Sequence, residues 1–190
     1  KTALIDELRP MVTVRGGWFV SGKFDQYRRE RASEVLTLVL GVLGRLLLAE
    51  PEDVLQADRA RLLAGLGANA GLVASFQPEL GLVLGVPPER DTGDSASTQS
   101  RLVQAGTAVL RAVASPERPV VLLLDDLQWA APLLISMIDC VLQDDTVRGL
   151  LVVGAYRDGE VDLAHPLSPM LGRWAALRPA SGGTVVAPPG

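Results

Sequence analysis

The chain has 190 residues, of which 48% are hydrophobic and 21% are charged, and these proportions are those of an ordinary globular domain with a sizeable core. The net charge is −4 and no extended basic run occurs, so nucleic acid is not expected as the main partner, because neutralising phosphates requires clustered cations. The single cysteine, Cys140, excludes a disulfide within the chain, which favours a reducing, cytoplasmic location, and we expect it to be a small core residue.

The first half of the chain is predicted to be mainly helical. A helix is expected over residues 1–9, where Pro10 ends or kinks it, and a strand rich in aromatic and β-branched residues follows over 18–24. Three helical segments come next, and the first is apolar almost all round, so we expect it to be buried without being long enough to cross a bilayer. The three segments span residues 34–49, 51–66 and 98–114, with irregular chain between the last two and a polar loop over 87–94.

The second half alternates strands with helices. Strands are predicted over residues 119–125 and 149–156, and helices over 132–142 and 166–176. Val185 and Val186 are expected to begin a further strand. This alternation is typical of an α/β fold whose parallel sheet is joined by right-handed crossovers.

The strand at residues 119–125 ends in a motif that can carry chemistry. Five apolar residues are followed directly by Asp125 and Asp126, and ligands of open α/β sheets bind beyond the carboxyl ends of the strands. The pattern indicates a Walker B element, with one aspartate for Mg²⁺ and the next for orienting an attacking water. The alternative is a strand that simply enters a turn, with both acids in solvent or capping a helix.

Arg157 follows the next predicted strand. If that strand lies beside the strand of Asp125, the arginine emerges at the same edge of the sheet, where its planar fork suits a γ-phosphate. This is the sensor position of many P-loop ATPases. The alternative is a structural ion pair with Asp126 or Asp158.

Two stretches are candidates for a phosphate-binding loop. Lys1 and Thr2 open a predicted helix, as the last residues of a P-loop do, with the Lys for phosphates and the hydroxyl for Mg²⁺. Residues 17–24 match the spacing Gly-x₄-Gly-Lys, but Phe24 offers no hydroxyl and the interior is bulky. We therefore predict a strand there and not a phosphate site.

Other residues are assigned ordinary structural roles. Trp129 is predicted to be a packing residue, and Ala131 falls near the N-cap of the following helix, where Asp, Ser or Thr would be better by about 1 kcal/mol. His165 is the only histidine and has no Ser or Cys partner pattern around it, so we expect no catalytic triad. No Cys/His cluster indicates zinc.

These motifs, taken in order, resemble the AAA-type ATPase module of STAND signalling proteins, often described as an origin-recognition-complex-like AAA domain. The resemblance rests on residues 1–8, 21–26, 120–129 and 154–158, and it covers nearly the whole chain. It is strongest to the modules found between kinase-like and GAF or histidine kinase domains in large bacterial sensors. Such a module departs from this chain in having Asp where Ala131 stands and Glu where Asp126 stands.

The resemblance implies a fold and a set of site residues. The fold is a three-layer, P-loop NTPase-like α/β domain with a parallel sheet and a helical insertion over about residues 34–114, with residues 178–190 as a last strand or linker. The first strand and glycine loop are expected to lie upstream, so we interpret residues 1–190 as a single partial domain that is inactive by itself. Lys1 and Thr2 would bind phosphate and Mg²⁺, and Asp125 would hold Mg²⁺. Asp126 would polarise water, and Arg157 would act as the sensor.

Three functional hypotheses follow. The favoured one is a slowly hydrolysing switch of a signalling protein, with ATP and Mg²⁺ as cofactors, flanking kinase or sensor domains as partners and an oligomer as one option. The second is a degenerate scaffold whose helical region binds partners without nucleotide turnover. The third, a P-loop kinase for a small molecule, is least favoured because no charged cluster in the loops indicates an acceptor site.

Overall fold

Within the described residues, three parallel strands form one sheet. The computed structural model describes residues 7–24, 33–90 and 94–176. The strand order is β1 (Trp18–Lys23), β2 (Val120–Asp125) and β3 (Leu150–Gly154), with β2 in the centre and both neighbours parallel to it. The predicted α/β fold with a parallel sheet is therefore confirmed. Predictions for Lys1, Thr2 and the strand at Val185 lie outside the described residues.

Helix α1 (Leu8–Val14) precedes the sheet. Pro10 lies in its first turn, where a missing N–H leaves no intrahelical hydrogen bond unmade, and the helix continues past it. Pro10 was predicted to end or kink a helix over residues 1–9. It does not end α1, and residues 1–6 lie outside the described residues. Gly16, with φ +69°, then turns the chain into β1.

Five helices occupy the described chain between β1 and β2. Two of them, α4 and α5, fill the region predicted to be irregular, so that prediction was wrong. Gly85, with φ +66°, ends α5. The loop predicted over 87–94 follows, and its residues 87–90 and 94 are described. The five are α2 (Ser33–Leu48), α3 (Glu52–Leu66), α4 (Ala70–Phe76), α5 (Pro78–Leu84) and α6 (Ser95–Val113).

Two helices follow the central strand. Helix α7 (Pro132–Leu142) connects β2 to β3, and α8 (Ser168–Ala176) comes after β3. Trp174 of α8 donates from Nε1 to Oδ1 of Asp139 in α7 at 3.0 Å, which joins the two helices through a buried hydrogen bond. Cys140, the next residue, is exposed, so the prediction that it is a core residue was wrong.

The two faces of the sheet carry different layers. Val120, Leu122 and Leu124 of β2 belong to the large core formed with the helices from α2 onward. The alternate residues Val121 and Leu123 pack with Val12 of α1 on the opposite face. Side chains of a strand alternate between faces, so this division follows from the continuous apolar sequence of β2. Helices thus cover both faces of the sheet.

A partly buried arginine joins the helical region to the sheet at the amino edge of β2. Arg118 donates from Nη1 and Nη2 to the two carboxylate oxygens of Asp58 in α3, at 2.6 and 2.9 Å. It also donates to the carbonyl of Val113 at the end of α6, and its guanidinium lies 4.2 Å from the ring centroid of Trp18. A single side chain therefore connects α3, α6 and the first residue of β1.

Among the described residues, no helix has the length and apolar character needed to cross a membrane.

Candidate functional site

The carboxyl ends of the three strands bring charged residues together at one edge of the sheet. Lys23, the last residue of β1, is in register with Asp125, the last residue of β2. Leu124 is in register with Gly154, the last residue of β3, and Arg157 follows shortly afterwards. The acids predicted as Walker B and the arginine predicted as sensor therefore lie at the same edge, which is where α/β sheets bind ligands.

Asp126 is held between two cations. Its Oδ2 lies 3.6 Å from Nζ of Lys23, and its Oδ1 lies 3.3 Å from Nε of Arg157. Gln128 donates from Nε2 to the same Oδ1 at 3.1 Å. The carboxylate is only 13% exposed, so these groups replace most of its contact with water. A carboxylate placed in this way is held in one orientation.

The backbone of Asp126 is also unusual. Its φ of 58° and ψ of 44° lie in the left-handed region, and no other non-glycine residue in the described ranges has a positive φ. Aspartate tolerates this conformation better than most residues, at a cost of about 1 kcal/mol, and such backbone strain concentrates at functional sites. The left-handed residue turns the chain sharply from β2 into the 3₁₀ turn Leu127–Trp129.

Asp125 has a different environment. Its Oδ1 accepts a hydrogen bond from the N–H of Asp126 at 3.0 Å, and the side chain is half-buried. Within the described part of the chain, its second carboxylate oxygen has neither a hydrogen-bond donor nor an ion-pair partner. Of the two acids, Asp125 is therefore the one with a ligand position to offer.

This donor chemistry fits Mg²⁺. The ion prefers oxygen ligands, keeps several waters and takes one or two protein carboxylates together with phosphate oxygens. One carboxylate at a ligand-binding edge meets that requirement. The described residues contain no group of three or more His, Cys, Asp or Glu side chains arranged around a metal position, which is what a site made only of protein ligands would need.

Arg157 bridges two acids. Besides Asp126, it contacts Glu160, with Nη1 3.2 Å from Oε1, and its side chain remains 64% exposed. The alternative predicted for Arg157, a structural ion pair, is therefore observed, and its partner is Asp126. The sensor role stays a prediction. The neighbouring phenol, Tyr156, is partly buried, and burial followed by the negative charge and hydrogen bonding of Asp158 raises the pKa of Tyr156.

The turn after β2 carries the remaining polar contacts. Gln128 donates to Oε2 of Glu160 at 3.1 Å, and its backbone oxygen lies 3.0 Å from Nε2 of His165. Trp129 is partly buried against the core, as its prediction as a packing residue requires. Ala131 is the N-cap residue of α7, and no side chain caps that helix end.

Sequence reasoning found three of the residues at this edge and missed three others. Lys23 was placed on a strand, which is confirmed, but its proximity to Asp126 depends on β1 lying beside β2. In a parallel sheet the carboxyl ends of neighbouring strands lie at the same edge. Placing β1 beside β2 would therefore have identified Lys23 as a residue of this site. Gln128 and Glu160 gave no comparable signal, because their contacts depend on how the two loops fold over the edge.

Comparisons with known proteins bear on this site. The model of the AAA ATPase domain family matches residues 1–153. A protein of Dictyostelium discoideum named hybrid signal transduction histidine kinase G is 29% identical over 147 residues, which cover 76% of this chain. The chain spans only 4% of the length of that relative. No solved structure matches the chain significantly.

Proposed function

Since this chain belongs to the family of AAA ATPase domains, we propose that it binds Mg-ATP at the carboxyl edge of its sheet and works as a slowly hydrolysing switch in a signalling protein. Membership of the family supports nucleotide binding. The signalling role draws on the printed name of the Dictyostelium relative, a hybrid histidine kinase. Flanking kinase or sensor domains of the same polypeptide are the partners we propose.

The observation that carries the proposal is the contrast between the two adjacent acids. Asp125 keeps a carboxylate oxygen open within the described chain, whereas Asp126 is paired with Lys23 and Arg157. A metal-binding acid must offer an open oxygen, and an acid that orients water must be fixed in direction. The two positions meet these two requirements separately.

In the proposed complex Asp125 holds Mg²⁺, together with Thr2, and Lys1 binds the phosphates. Lys1 and Thr2 lie outside the described residues, so these two assignments rest on the sequence motif. Bound Mg²⁺ supplies neutralisation of the charge that develops on the phosphate oxygens.

Arg157 is the element that changes state. Its exposed guanidinium binds Asp126 in the structure, and arginine binds a γ-phosphate with the same donor groups. When Arg157 turns to the phosphate, Asp126 loses one of its two cations and becomes a stronger hydrogen-bond acceptor for a water. Loss of the phosphate returns Arg157 to Asp126, and this exchange is the proposed switch.

The scaffold hypothesis remains the second candidate, and one observation favours it. The carboxylate of Asp126 is paired with both Lys23 and Arg157. Its side chain is also shorter by one methylene than the Glu of the related modules. Both features make it less able to bind and activate a water. A domain in this arrangement would bind partners through its helical region without nucleotide turnover.

Binding of Mg-ATP by the full-length gene product, measured by titration calorimetry, tests the proposal. Asp125→Ala should weaken Mg-ATP binding by about tenfold or more, whereas Asp53→Ala, a matched change at an exposed acid in the first turn of α3, should not. Equal affinity of Asp125→Ala and the parent would refute the magnesium role of Asp125. A parent that binds no Mg-ATP would leave the scaffold as the better hypothesis.

A further inference from the structure

We propose that Gln128 is a positioning residue that fixes Asp126 and Arg157 relative to each other and connects both to the segment 157–167. The consequence for turnover rests on the proposed ATPase function. The connection itself rests only on the contacts in the structure. Gln128 lies in the 3₁₀ turn that follows Asp126, and the residue is 1% exposed.

The amide of Gln128 contacts both halves of the site. Its Nε2 donates to Oδ1 of Asp126 and to Oε2 of Glu160, both at 3.1 Å. Its Oε1 accepts from the backbone N–H of Arg157 at 3.3 Å. The donors therefore face two carboxylates and the acceptor faces an N–H, so the chemistry of the surroundings fixes which way the amide points.

Only an uncharged amide satisfies these three neighbours. A carboxylate in the same place would face two other carboxylates and could donate to neither, and an apolar side chain would leave the N–H of Arg157 without this acceptor. A polar group this deeply buried is costly when unpaired. The position thus depends on the chemistry of glutamine and not only on its size.

The backbone of Gln128 extends the connection to the start of α8. Its carbonyl lies 3.0 Å from Nε2 of His165, and Nδ1 of His165 accepts from the N–H of Leu167 at 3.1 Å. Because Nδ1 acts as an acceptor, Nε2 carries the proton in the neutral imidazole and donates to Gln128. Leu167 is fully buried just before α8, so the turn after β2 is joined to the chain that enters that helix.

Through these contacts, a change at Arg157 can affect the chain that leads into α8. When the Arg157 side chain leaves Asp126 for a phosphate, the backbone N–H of Arg157 is still bonded to Gln128, and Glu160 is in contact with both residues. Gln128 keeps Asp126 oriented while the Arg157 side chain moves, and it transfers any displacement of the backbone at 157 to the loop before α8.

The test uses the isosteric variant Gln128→Glu in the full-length gene product, with Gln77→Glu as the matched control. Gln77 is also deeply buried, at 2% exposure, but it lies between α4 and α5 and donates to the carbonyl of Thr37 in α2. Both variants bury a carboxylate. Effects count for the proposal only where they exceed those of the control.

Two measurements are expected to separate the variants. Without nucleotide, hydrogen–deuterium exchange over residues 155–167 should accelerate by about tenfold in Gln128→Glu and stay unchanged in Gln77→Glu. With Mg-ATP, the kcat of Gln128→Glu should fall by about tenfold to a hundredfold, while its Kd for Mg-ATP stays within about threefold of the parent. Exchange or kcat equal to that of the control would overturn the proposal. A parent that does not hydrolyse ATP would refute the proposed function, and the exchange data alone would then decide the role of Gln128.

A reciprocal variant shows which contact matters. Gln128→Glu combined with Glu160→Gln exchanges donor and acceptor, so it restores the hydrogen bond between 128 and 160 without restoring donation to Asp126. Slow exchange over 155–167 should return, while kcat should stay low. If slow exchange over 155–167 does not return in the double variant, the single variant acts through general destabilisation and the positioning role is wrong.

Discussion

Arg157 forms an ion pair with Asp126, with Nε of the arginine 3.3 Å from Oδ1 of the aspartate. The two residues are the proposed sensor and the proposed water-orienting acid, so each neutralises the other in this structure. An arginine that pairs with Asp126 cannot at the same time direct the same N–H at a phosphate. In the proposed Mg-ATP complex, the affinity for ATP therefore includes the cost of breaking this ion pair.

Removing the charge of Asp126 should thus have opposite effects on binding and turnover. Asp126→Asn keeps the shape of the side chain but releases Arg157, so the Kd for Mg-ATP should fall by a few-fold while hydrolysis falls by about 10²-fold or more. Calorimetry and phosphate release measure the two quantities. Asp162→Asn is the control, because Asp162 accepts from the N–H of Ala164 in the neighbouring loop and an amide oxygen can replace that contact. Weaker ATP binding by Asp126→Asn would contradict this prediction.

The strands and the long helices were predictable from the sequence because their apolar residues recur with clear periods. The two short helices of seven residues each, α4 and α5, were missed. In α4 the buried Leu72, Val73 and Ala74 follow one another, and in α5 the i, i+3, i+4 pattern of Leu80, Val83 and Leu84 covers little more than one turn, which is too short to establish a period. The exposure of Cys140 could have been predicted from its position in the helical pattern. Its position lies outside the face of α7 on which Leu134, Ile135, Met137, Ile138 and Val141 pack into the core.

The site was predictable only in part, for a physical reason. Asp125, Asp126 and Arg157 stand directly after apolar strands, and that local pattern carries chemical meaning. Gln128 is in contact with Glu160 across 32 positions of sequence, and Lys23 meets Asp126 across a strand pair. Such contacts arise from tertiary packing, and no periodicity within one segment encodes them.

Arg118 should be among the residues on which stability depends most. Arg118→Met leaves the carboxylate of Asp58, which is 1% exposed, without its bidentate partner. We expect the free energy of unfolding to fall by about 3 kcal/mol, the lower end for a broken buried pair, because Arg61 still contacts Asp58. Arg111→Met, which removes the more exposed partner of Asp144, should cost at most about 1 kcal/mol. Urea unfolding measures the free energy of unfolding of both variants. Equal losses in the two would contradict the conclusion that stability depends especially on Arg118.

The same ion pair predicts a dependence of stability on pH. Burial alone would raise the pKa of Asp58, but the hydrogen bonds and charges of Arg118 and Arg61 outweigh it, so the pKa lies below the ordinary value of 3.8. A lowered folded pKa contributes stability that is present above the unfolded pKa and is lost as the pH falls through the folded pKa. Unfolding free energies measured from pH 7 down to about pH 3 should therefore decline at the acid end. The decline should be shallower in Asp58→Asn, and an equal slope in both proteins would contradict the pKa shift.

The N-cap of α7 offers a stabilising change. Ala131 has the extended backbone of an N-cap residue, with φ −71° and ψ 152°, and it makes no side-chain cap. Ala131→Ser should raise the free energy of unfolding by about 1 kcal/mol, because its hydroxyl can accept from an N–H of the first turn. The reverse change, Asp94→Ala, removes acceptance from the N–H groups of Ala96 and Ser97 at the start of α6 and should cost a similar amount. Thermal unfolding of the two variants should show shifts of opposite sign. Because Ala131 is buried, a destabilised Ala131→Ser would mean that the new hydroxyl lacks a hydrogen-bond partner.

Gly149 should be required for the placement of β3, and so of Arg157 at the far end of that strand. Its φ is +72°, and a Cβ there would clash with the carbonyl of Ser115 and lie 2.8 Å from N of Pro116, both of them backbone atoms that cannot rotate away. Gly16 has a nearly identical φ of +69° with nothing within 4 Å, so Gly16→Ala isolates the cost of the conformation alone. We expect Gly16→Ala to lower the free energy of unfolding by about 1 kcal/mol and Gly149→Ala by about 3 kcal/mol or more. Chemical unfolding of the two variants measures this difference. Similar losses would mean that residues 115–118 can move away from β3, and that the close approach of Ser115 to Gly149 is not what fixes the start of the strand.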